Sequence, residues 1–354
     1  MGHRADVEER VTEALRAAGE PVREAVLYER VRDAGARIDA EVFVAVLERL
    51  ATRGHVRMAV EHDLPTRDPE PFAPRFWSIV GRQGPSSMRE RVRVEPGSRV
   101  DLADVAPDAR MGLSGREEAD SLASDLGDRL AGLGALLAAD RRQALLVVFQ
   151  GLDASGKDGA IKRCIGPLNP MMVRTAAFTA PSAEERSHDF LWRVHARLPA
   201  RGQVGAFNRS HYEDVLVPRV EGGVAEQVWG PRHDAITGFE RHLAQEGTTV
   251  LKFFLHISRE EQERRFEARI ADPHKRWKFD PADLAKRELR DDYMDAYADL
   301  LERTSTDWAP WHVVPADHKW VRDVVVMQVM AEVLESLDLR WPDLDPEVAR
   351  VVGR

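Results

Sequence analysis

One stretch constrains this chain more than any other: residues 144–163, ALLVVFQGLDASGKDGAIKR. Its first seven residues carry no charge, and a continuous apolar run of that length ending at glycine reads as a strand buried on both faces. Such a strand needs helices above and below it, which places it in an α/β sheet. The loop that follows holds Gly151 and Gly156, then Lys157 opens a helical stretch. Strand, glycine-bearing loop and helix N-terminus together turn backbone N–H groups and a helix dipole toward an anion. The two glycines let the backbone approach without a Cβ in the way, and Lys157 adds a point charge for phosphates.

Two residues in this loop are unusual. Asp158 stands where a magnesium-binding Ser or Thr follows the lysine of the common nucleotide-binding motif, and Asp153 puts a second carboxylate inside the loop. Two carboxylates beside a phosphate cradle make chemical sense if they hold Mg2+, with Mn2+ as a substitute, or activate an attacking oxygen.

The remainder of the chain supports an α/β enzyme. With 354 residues, 43% hydrophobic and 31% charged, it predicts a soluble globular protein of more than one domain. No apolar run approaches a membrane span, the first residues lack an apolar signal core, and Cys164 is the only cysteine, so the expectation is a cytoplasmic protein. A net charge of −9 argues against a surface that coats nucleic acid.

Residues 1–80 differ in pattern from the rest. Amphipathic stretches at 7–18, 23–34 and 40–53 predict helices, the third with an apolar face of Val42, Phe43, Val46, Leu47 and Leu50. Two alternating runs, HVRMAV and RFWSIV, then predict a hairpin, so the segment resembles a small winged helix-turn-helix domain. Its third helix carries Asp39, Glu41 and Glu48 against Arg37 and Arg49, which favours protein contacts over DNA-linked regulation. Residues 81–90 read as linker, and 91–340 as the main domain.

In that domain strands are expected at 144–150, 172–178, 203–207, 248–257 and 311–314. Helices are expected at 117–138, 182–196, 233–245, 259–270, 281–304 and 319–337. FNRSHYEDVL follows the third strand, so Asn208 and Arg209 fall at a strand end facing the ligand crevice of an open sheet. Arg209 is a planar clamp suited to phosphate. Basic residues crowd 259–290, among them Arg265, Arg269, Lys275 and Lys278, with Glu260, Glu261, Glu263 and Glu267 interleaved. His211, Tyr212, His256 and His312 show no metal-ligand spacing and are expected to be structural.

GLDASGKDGAIKR resembles the phosphate loop of the polyphosphate kinase 2 family, whose hallmark is the aspartate within the loop. TAPSAEERSHDFLWRVHARLPARG, FNRSHYEDVLVPRV, LKFFLHISREEQERRFEARIADPHKRWKFDPADL and DDYMDAYADLLERTSTDWAPWHVVPADHKW follow in the family's order. The resemblance implies a P-loop kinase fold, a three-layer α/β/α arrangement with a five-stranded, mainly parallel sheet and a helical lid at about 259–304. It implies an Mg2+-dependent phosphotransferase working between inorganic polyphosphate and AMP or ADP, with GMP or GDP as alternative acceptors, in a homo-oligomer, dimer or tetramer.

By the same resemblance Asp153, Lys157 and Arg209 are catalytic, and Asp153 holds the metal. Gly151, Gly156, Lys157, Asp158, Gly159, Lys162, Arg163, Arg265, Arg269, Lys275 and Lys278 meet polyphosphate. Asn208, Arg209, Glu213 and Asp214 meet the nucleotide. Asn208 stands where some members have Asp, a form resembling the subgroup that accepts nucleoside monophosphates. The rival enzyme reading is an ATP-dependent nucleoside-monophosphate kinase, which Asp153 and the missing hydroxyl after Lys157 argue against.

Overall fold

The computed structural model describes residues 87–274 and 288–342. Before them it describes residues 10–11, 13–14, 22–33, 43–44, 46–47, 56–60 and 75–79. The chain divides into two compact units, Met1–Ser86 and Ser87–Arg354.

In the first unit, strands β1 (Val22–Arg23), β2 (Val56–Val60) and β3 (Arg75–Ile79) form an antiparallel sheet in the order β1-β3-β2. The hairpin expected from the alternating runs pairs Val56 with Ile79 and Val60 with Arg75. Helix α1 (Glu24–Asp33) buries Leu27 and Val31, four residues apart on one face. Tyr28 meets Phe43 edge-on, with ring centroids 5.1 Å apart, and Phe43, Val46 and Leu47 of the expected apolar face are buried. Most of the expected helices at 7–18 and 40–53, and linker residues 81–86, lie outside the described residues.

The second unit opens with α2 (Met88–Val92) and the long α3 (Arg116–Asp140). It is organised around five parallel strands in the order β5-β6-β4-β7-β8. These are β4 (Ala144–Gln150), β5 (Val173–Ala177), β6 (Val204–Asn208), β7 (Thr248–His256) and β8 (Trp311–Pro315), each within a residue of expectation. β4 lies at the centre and every residue in it is fully buried. Its alternating side chains serve two layers. Leu145, Val147 and Phe149 pack with Leu126 and Leu130 of α3 and Val326 and Met330 of α12 (Lys319–Glu335). Leu146 and Val148 pack with Phe239 and Leu243 of α9 (Arg232–Gln245). Each such side chain contributes about 1.5–3 kcal/mol by leaving water.

Register places the functional edge. Phe149 lies opposite Asn208 of β6 and Phe253 of β7, so Gly151 and Arg209 leave neighbouring strands at the same C-terminal edge. After the loop, α4 (Lys157–Ala160) widens into a π turn at Ile161–Ile165.

The structure corrects two local expectations. The helix at 182–196 is broken into α5 (Ala183–Ser187) and α6 (Trp192–His195). His188 is extended, and the Asp189 carboxylate accepts the Leu191 N–H at 3.0 Å, so a side-chain turn replaces a helical one. The second correction is an additional helix, α7 (Glu213–Val220), which contains Pro218 and is followed by the short α8 (Glu226–Trp229). Proline cannot donate to the carbonyl four residues back, and Arg232 Nη1 donates to that Asp214 oxygen instead, at 2.5 Å. This tertiary donor offsets the lost hydrogen bond, one part of what makes proline a helix breaker in sequence. Helices α10 (Arg259–Ala271) and α11 (Arg290–Thr304) follow β7, and residues 275–287 between them lie outside the described residues.

Candidate active site

The loop after β4 adopts its shape because of its glycines. Gly151 has φ +148°, and a Cβ there would stand 2.8 Å from both Leu255 O and Ser155 Oγ. Gly156 has φ +99°, and a Cβ would fall on the Arg322 guanidinium. A Cβ at Gly159 would also meet Arg322, 3.5 Å from its Nη2. Ala154 takes a left-handed backbone, φ +65°, without being glycine. Ser155 Oγ is buried within the loop and has no hydrogen-bond partner there.

Lys157 begins α4 and is 8% exposed. Its Nζ donates to the carbonyls of Gly151 at 2.7 Å and Leu152 at 3.1 Å. Burial pulls its pKa down to about 8 against the opposing attraction of Asp153.

Arg209 follows β6 and joins the loop to α7. Its backbone is left-handed, φ +60°, and its N–H donates to Phe149 O at 3.0 Å, which fastens the two strand ends together. Its side chain lies between two acids: Nη2 donates to Asp153 Oδ1 at 2.6 Å, and Nη1 is 3.7 Å from the Glu213 carboxylate. Burial disfavours the Arg209 charge, but Glu213 and Asp153 outweigh it and hold the guanidinium protonated. Burial likewise pushes the Glu213 carboxyl above its ordinary range, opposed by Arg209 and Lys157. Asn208 Nδ2 donates to Asp158 Oδ1 at 2.6 Å, so the two residues that depart from commoner motifs meet each other.

Asp153, Arg209 and Glu213 open onto a cleft that Gln262, Arg290, Tyr293 and Tyr297 also line. The sequence reading missed Gln262 and both tyrosines and treated Arg290 only as part of a basic run. Gln262 Nε2 donates to the Asp153 backbone oxygen at 2.9 Å, and Arg290 Nη1 donates to Gln262 Oε1 at 2.6 Å. Their one signal is spacing: Gln262 and Phe266 on α10, and Tyr293 and Tyr297 on α11, each lie four apart on one helix face.

Other expected site residues lie elsewhere. Asp214 is not among the residues that line the cleft, and its carboxylate accepts Arg193 Nη2 at 2.9 Å. Arg265 does not line an open groove: it is buried at 9% exposure and its guanidinium donates to Glu261 and to four backbone carbonyls. Arg269 is half-buried over the Phe266 ring at 5.5 Å. Lys162 and Arg163 are exposed on the π turn beyond α4. Lys275 and Lys278 lie outside the described residues.

His211, His256 and His312 are buried, and burial pushes His312 down to about 3. Among the described residues no group of three or more His, Cys, Asp or Glu comes together as a metal cage, and no helix is long and apolar enough to cross a membrane.

This loop and cleft lie within a stretch shared with known proteins. The chain is 45% identical over 262 residues to an AMP/ADP-polyphosphate phosphotransferase of Meiothermus ruber, covering 73% of this chain and 97% of that protein. It is 41% identical over 269 residues to an ADP-polyphosphate phosphotransferase of Rhodopseudomonas palustris, covering 73% and 93%. The crystal structure of Polyphosphate Kinase 2 from Arthrobacter aurescens TC1 superposes with a TM-score of 0.72 at 42% identity, over 76% of this chain and 98% of that one. Residues 114–341 match the family profile described as Polyphosphate kinase 2 (PPK2), from α3 through the loop, the cleft and α12. The chain belongs to the polyphosphate kinase 2 family.

Proposed function

We propose that this chain transfers phosphoryl groups between inorganic polyphosphate and nucleotides, with AMP and ADP as acceptors. The observation that carries this reading is the acid–guanidinium–acid cluster of Asp153, Arg209 and Glu213, set directly beside a glycine loop whose lysine is buried in it. The names of the Meiothermus ruber and Rhodopseudomonas palustris relatives support the same donor and acceptor classes.

Phosphoryl transfer asks a protein for alignment and charge compensation. Lys157 and Arg209 would hold the terminal phosphates of the polyanion, and the backbone N–H groups at the start of α4 would complete the cradle. The acceptor's own phosphate oxygen, already ionised, needs no strong base, so Asp153 orients more than it takes a proton. The cleft beside Arg209, lined by Tyr293 and Tyr297, would receive the nucleotide.

The donor set fits Mg2+. Asp153 and Glu213 line the cleft, and among the described residues no closed cage forms around them, which suits an ion that keeps waters and binds through one or two carboxylates plus substrate phosphates. Asp153 would hold it, with Mn2+ as a substitute. Bound there, the ion supplies compensation for the charge between donor and acceptor. Phosphoanhydride is exchanged for phosphoanhydride, so concentrations set the direction, and consumption of polyphosphate is the direction in this reading.

The competing reading is an ATP-dependent nucleoside-monophosphate kinase on a similar fold. Asp158 disfavours it by placing negative charge where an ATP–magnesium complex would meet a hydroxyl, and Asp153 adds a second carboxylate within the loop. Incubating the protein with Mg2+, polyphosphate and AMP, ADP, GMP or GDP, then separating the nucleotides, tests the proposal. Phosphorylated adenine nucleotides are expected, and none gaining phosphate would sink it.

A further inference from the structure

Arg322 lies on α12, far in sequence from the loop, yet its side chain is 3% exposed and its Nη1 donates to Gly156 O at 3.1 Å. Its Nε and Nη2 are both held by Asp323 Oδ1, at 2.8 and 2.5 Å. Arg265, from α10, donates through Nη1 to Ala154 O at 3.1 Å and Ser155 O at 2.9 Å. Its Nη2 reaches Ala316 O and Asp317 O beyond β8, and its Nε is held by Glu261 at 2.6 Å. Two buried cations therefore take the carbonyls of three consecutive loop residues, each cation fixed from behind by its own acid. Burial first, and to a lesser degree the like charge of Arg322, disfavours the Arg265 charge, and Glu261 opposes both, so holding the two cations together has an electrostatic cost that the acids offset.

We infer that Arg322, together with Arg265, is a positioning residue that sets the direction of the loop peptides and so prepares the N–H groups of Gly156 and Lys157 for phosphate. The peptide group is planar and trans, so fixing the carbonyls of Ser155 and Gly156 on one side fixes the N–H groups of Gly156 and Lys157 on the other. An anion site built of backbone donors gains most when those donors need no reorganisation at the moment of binding. Arg322 also explains Gly156 beyond its backbone angle, because a Cβ would occupy the place of the guanidinium. Through Arg265 the same peptides are tied to α10, the first helix of the expected lid, and to the end of β8.

The inference rests on the loop being the polyphosphate cradle, and the test separates the two. Tripolyphosphate and, separately, ATP are titrated into the wild-type and R322K proteins by calorimetry at several salt concentrations. Lysine keeps the charge but cannot reach Gly156 O and Asp323 with one planar fork. R322K is expected to bind the loop's preferred ligand about tenfold more weakly, with an unchanged dependence on salt. Unchanged affinity would overturn the inference. A salt dependence reduced by about one counterion would overturn it too, by making Arg322 a direct phosphate partner. A wild-type protein that holds ATP in preference to tripolyphosphate would count against the polyphosphate reading alone, while the R322K comparison still decides the role of Arg322.

If R322K loosens the whole domain, R265K and amide hydrogen exchange keep the question open to refutation. Faster exchange confined to Gly156 and Lys157 is expected in either variant. Equal loss of protection across β4 and β7 would reduce both arginines to general stability. The double variant should lose less affinity than the two single losses combined, because both act on one loop.

Discussion

Two charge clusters share the segment that follows β6, and they are built to opposite ends. On one side, Arg209 lies between Asp153 and Glu213, with exposures of 33%, 26% and 16%, open to a cleft. On the other, Lys252 of β7 and Glu240 of α9 are fully buried and 2.6 Å apart. Lys252 Nζ also donates to Tyr212 Oη at 2.8 Å and Thr304 O at 2.7 Å, while Tyr212 Oη donates to Glu240 Oε1 at 2.8 Å. Burial alone would discharge both members of this pair, and their mutual attraction opposes it. The closed cluster satisfies its cation entirely from the protein. The open one leaves its acids and guanidinium at a cleft, where a ligand can add to the contacts. Only Ser210 and His211 separate Arg209 from Tyr212, so the closed cluster anchors the backbone from which the open one projects.

The largest expected effect breaks the closed cluster. Lys252→Met leaves Glu240 as an unpaired buried charge and should cost about 3–5 kcal/mol of stability, read by denaturant unfolding. Replacing both, as K252M with E240L, should recover most of that loss. A double variant as unstable as the single one would show that the pair does more than compensate itself.

On the open side, Asp153→Asn and Lys157→Met should each lower turnover by about 10²–10³-fold while the fold persists. K157M should also melt higher than wild type at pH 7. The folded-state pKa of Lys157, about 8, lies below the ordinary 10.5, so burying the charged form destabilises the fold at every pH below about 8. That penalty fades as pH rises from about 8 toward 10.5. Near-wild-type turnover in either variant would contradict the site assignment.

The same shift gives a pH prediction for function. Phosphate binding needs Lys157 charged, so kcat/KM for polyphosphate should fall as pH rises through about 8, and K157R should move that fall upward. A smaller effect distinguishes two adjacent acids. Glu213→Gln should impair turnover, whereas Asp214→Asn, which touches Arg193, should change it by less than about threefold when assayed well below its melting point. Equal losses would mean that both acids serve the site.

How much of this was legible in the sequence follows from how local each signal is. β4 and its loop were read directly, since an apolar run, two glycines and a lysine are contiguous and the register of β6 then delivers Arg209 beside Asp153. The pairing of Asp214 with Arg193 was not legible, because Arg193 comes from a segment whose own helix was misread, and α7 was missed because Arg232 rescues the carbonyl that Pro218 strands. Arg265 looked like one more cation in a basic run, and nothing in that run shows that four backbone carbonyls surround it. Tyr293 and Tyr297 join the cleft only once α11 packs against α7, α9 and Phe254 of β7.

The proposed function turns on polyphosphate, not ATP, being the donor beside Asp153 and Asp158. Its most direct test supplies AMP and Mg2+ with either polyphosphate or ATP as the sole donor and follows phosphorylated nucleotide over time. ADP, and then ATP, should form from polyphosphate at a rate far above transfer from ATP. Efficient conversion of AMP and ATP into two ADP, with polyphosphate inert, would contradict it.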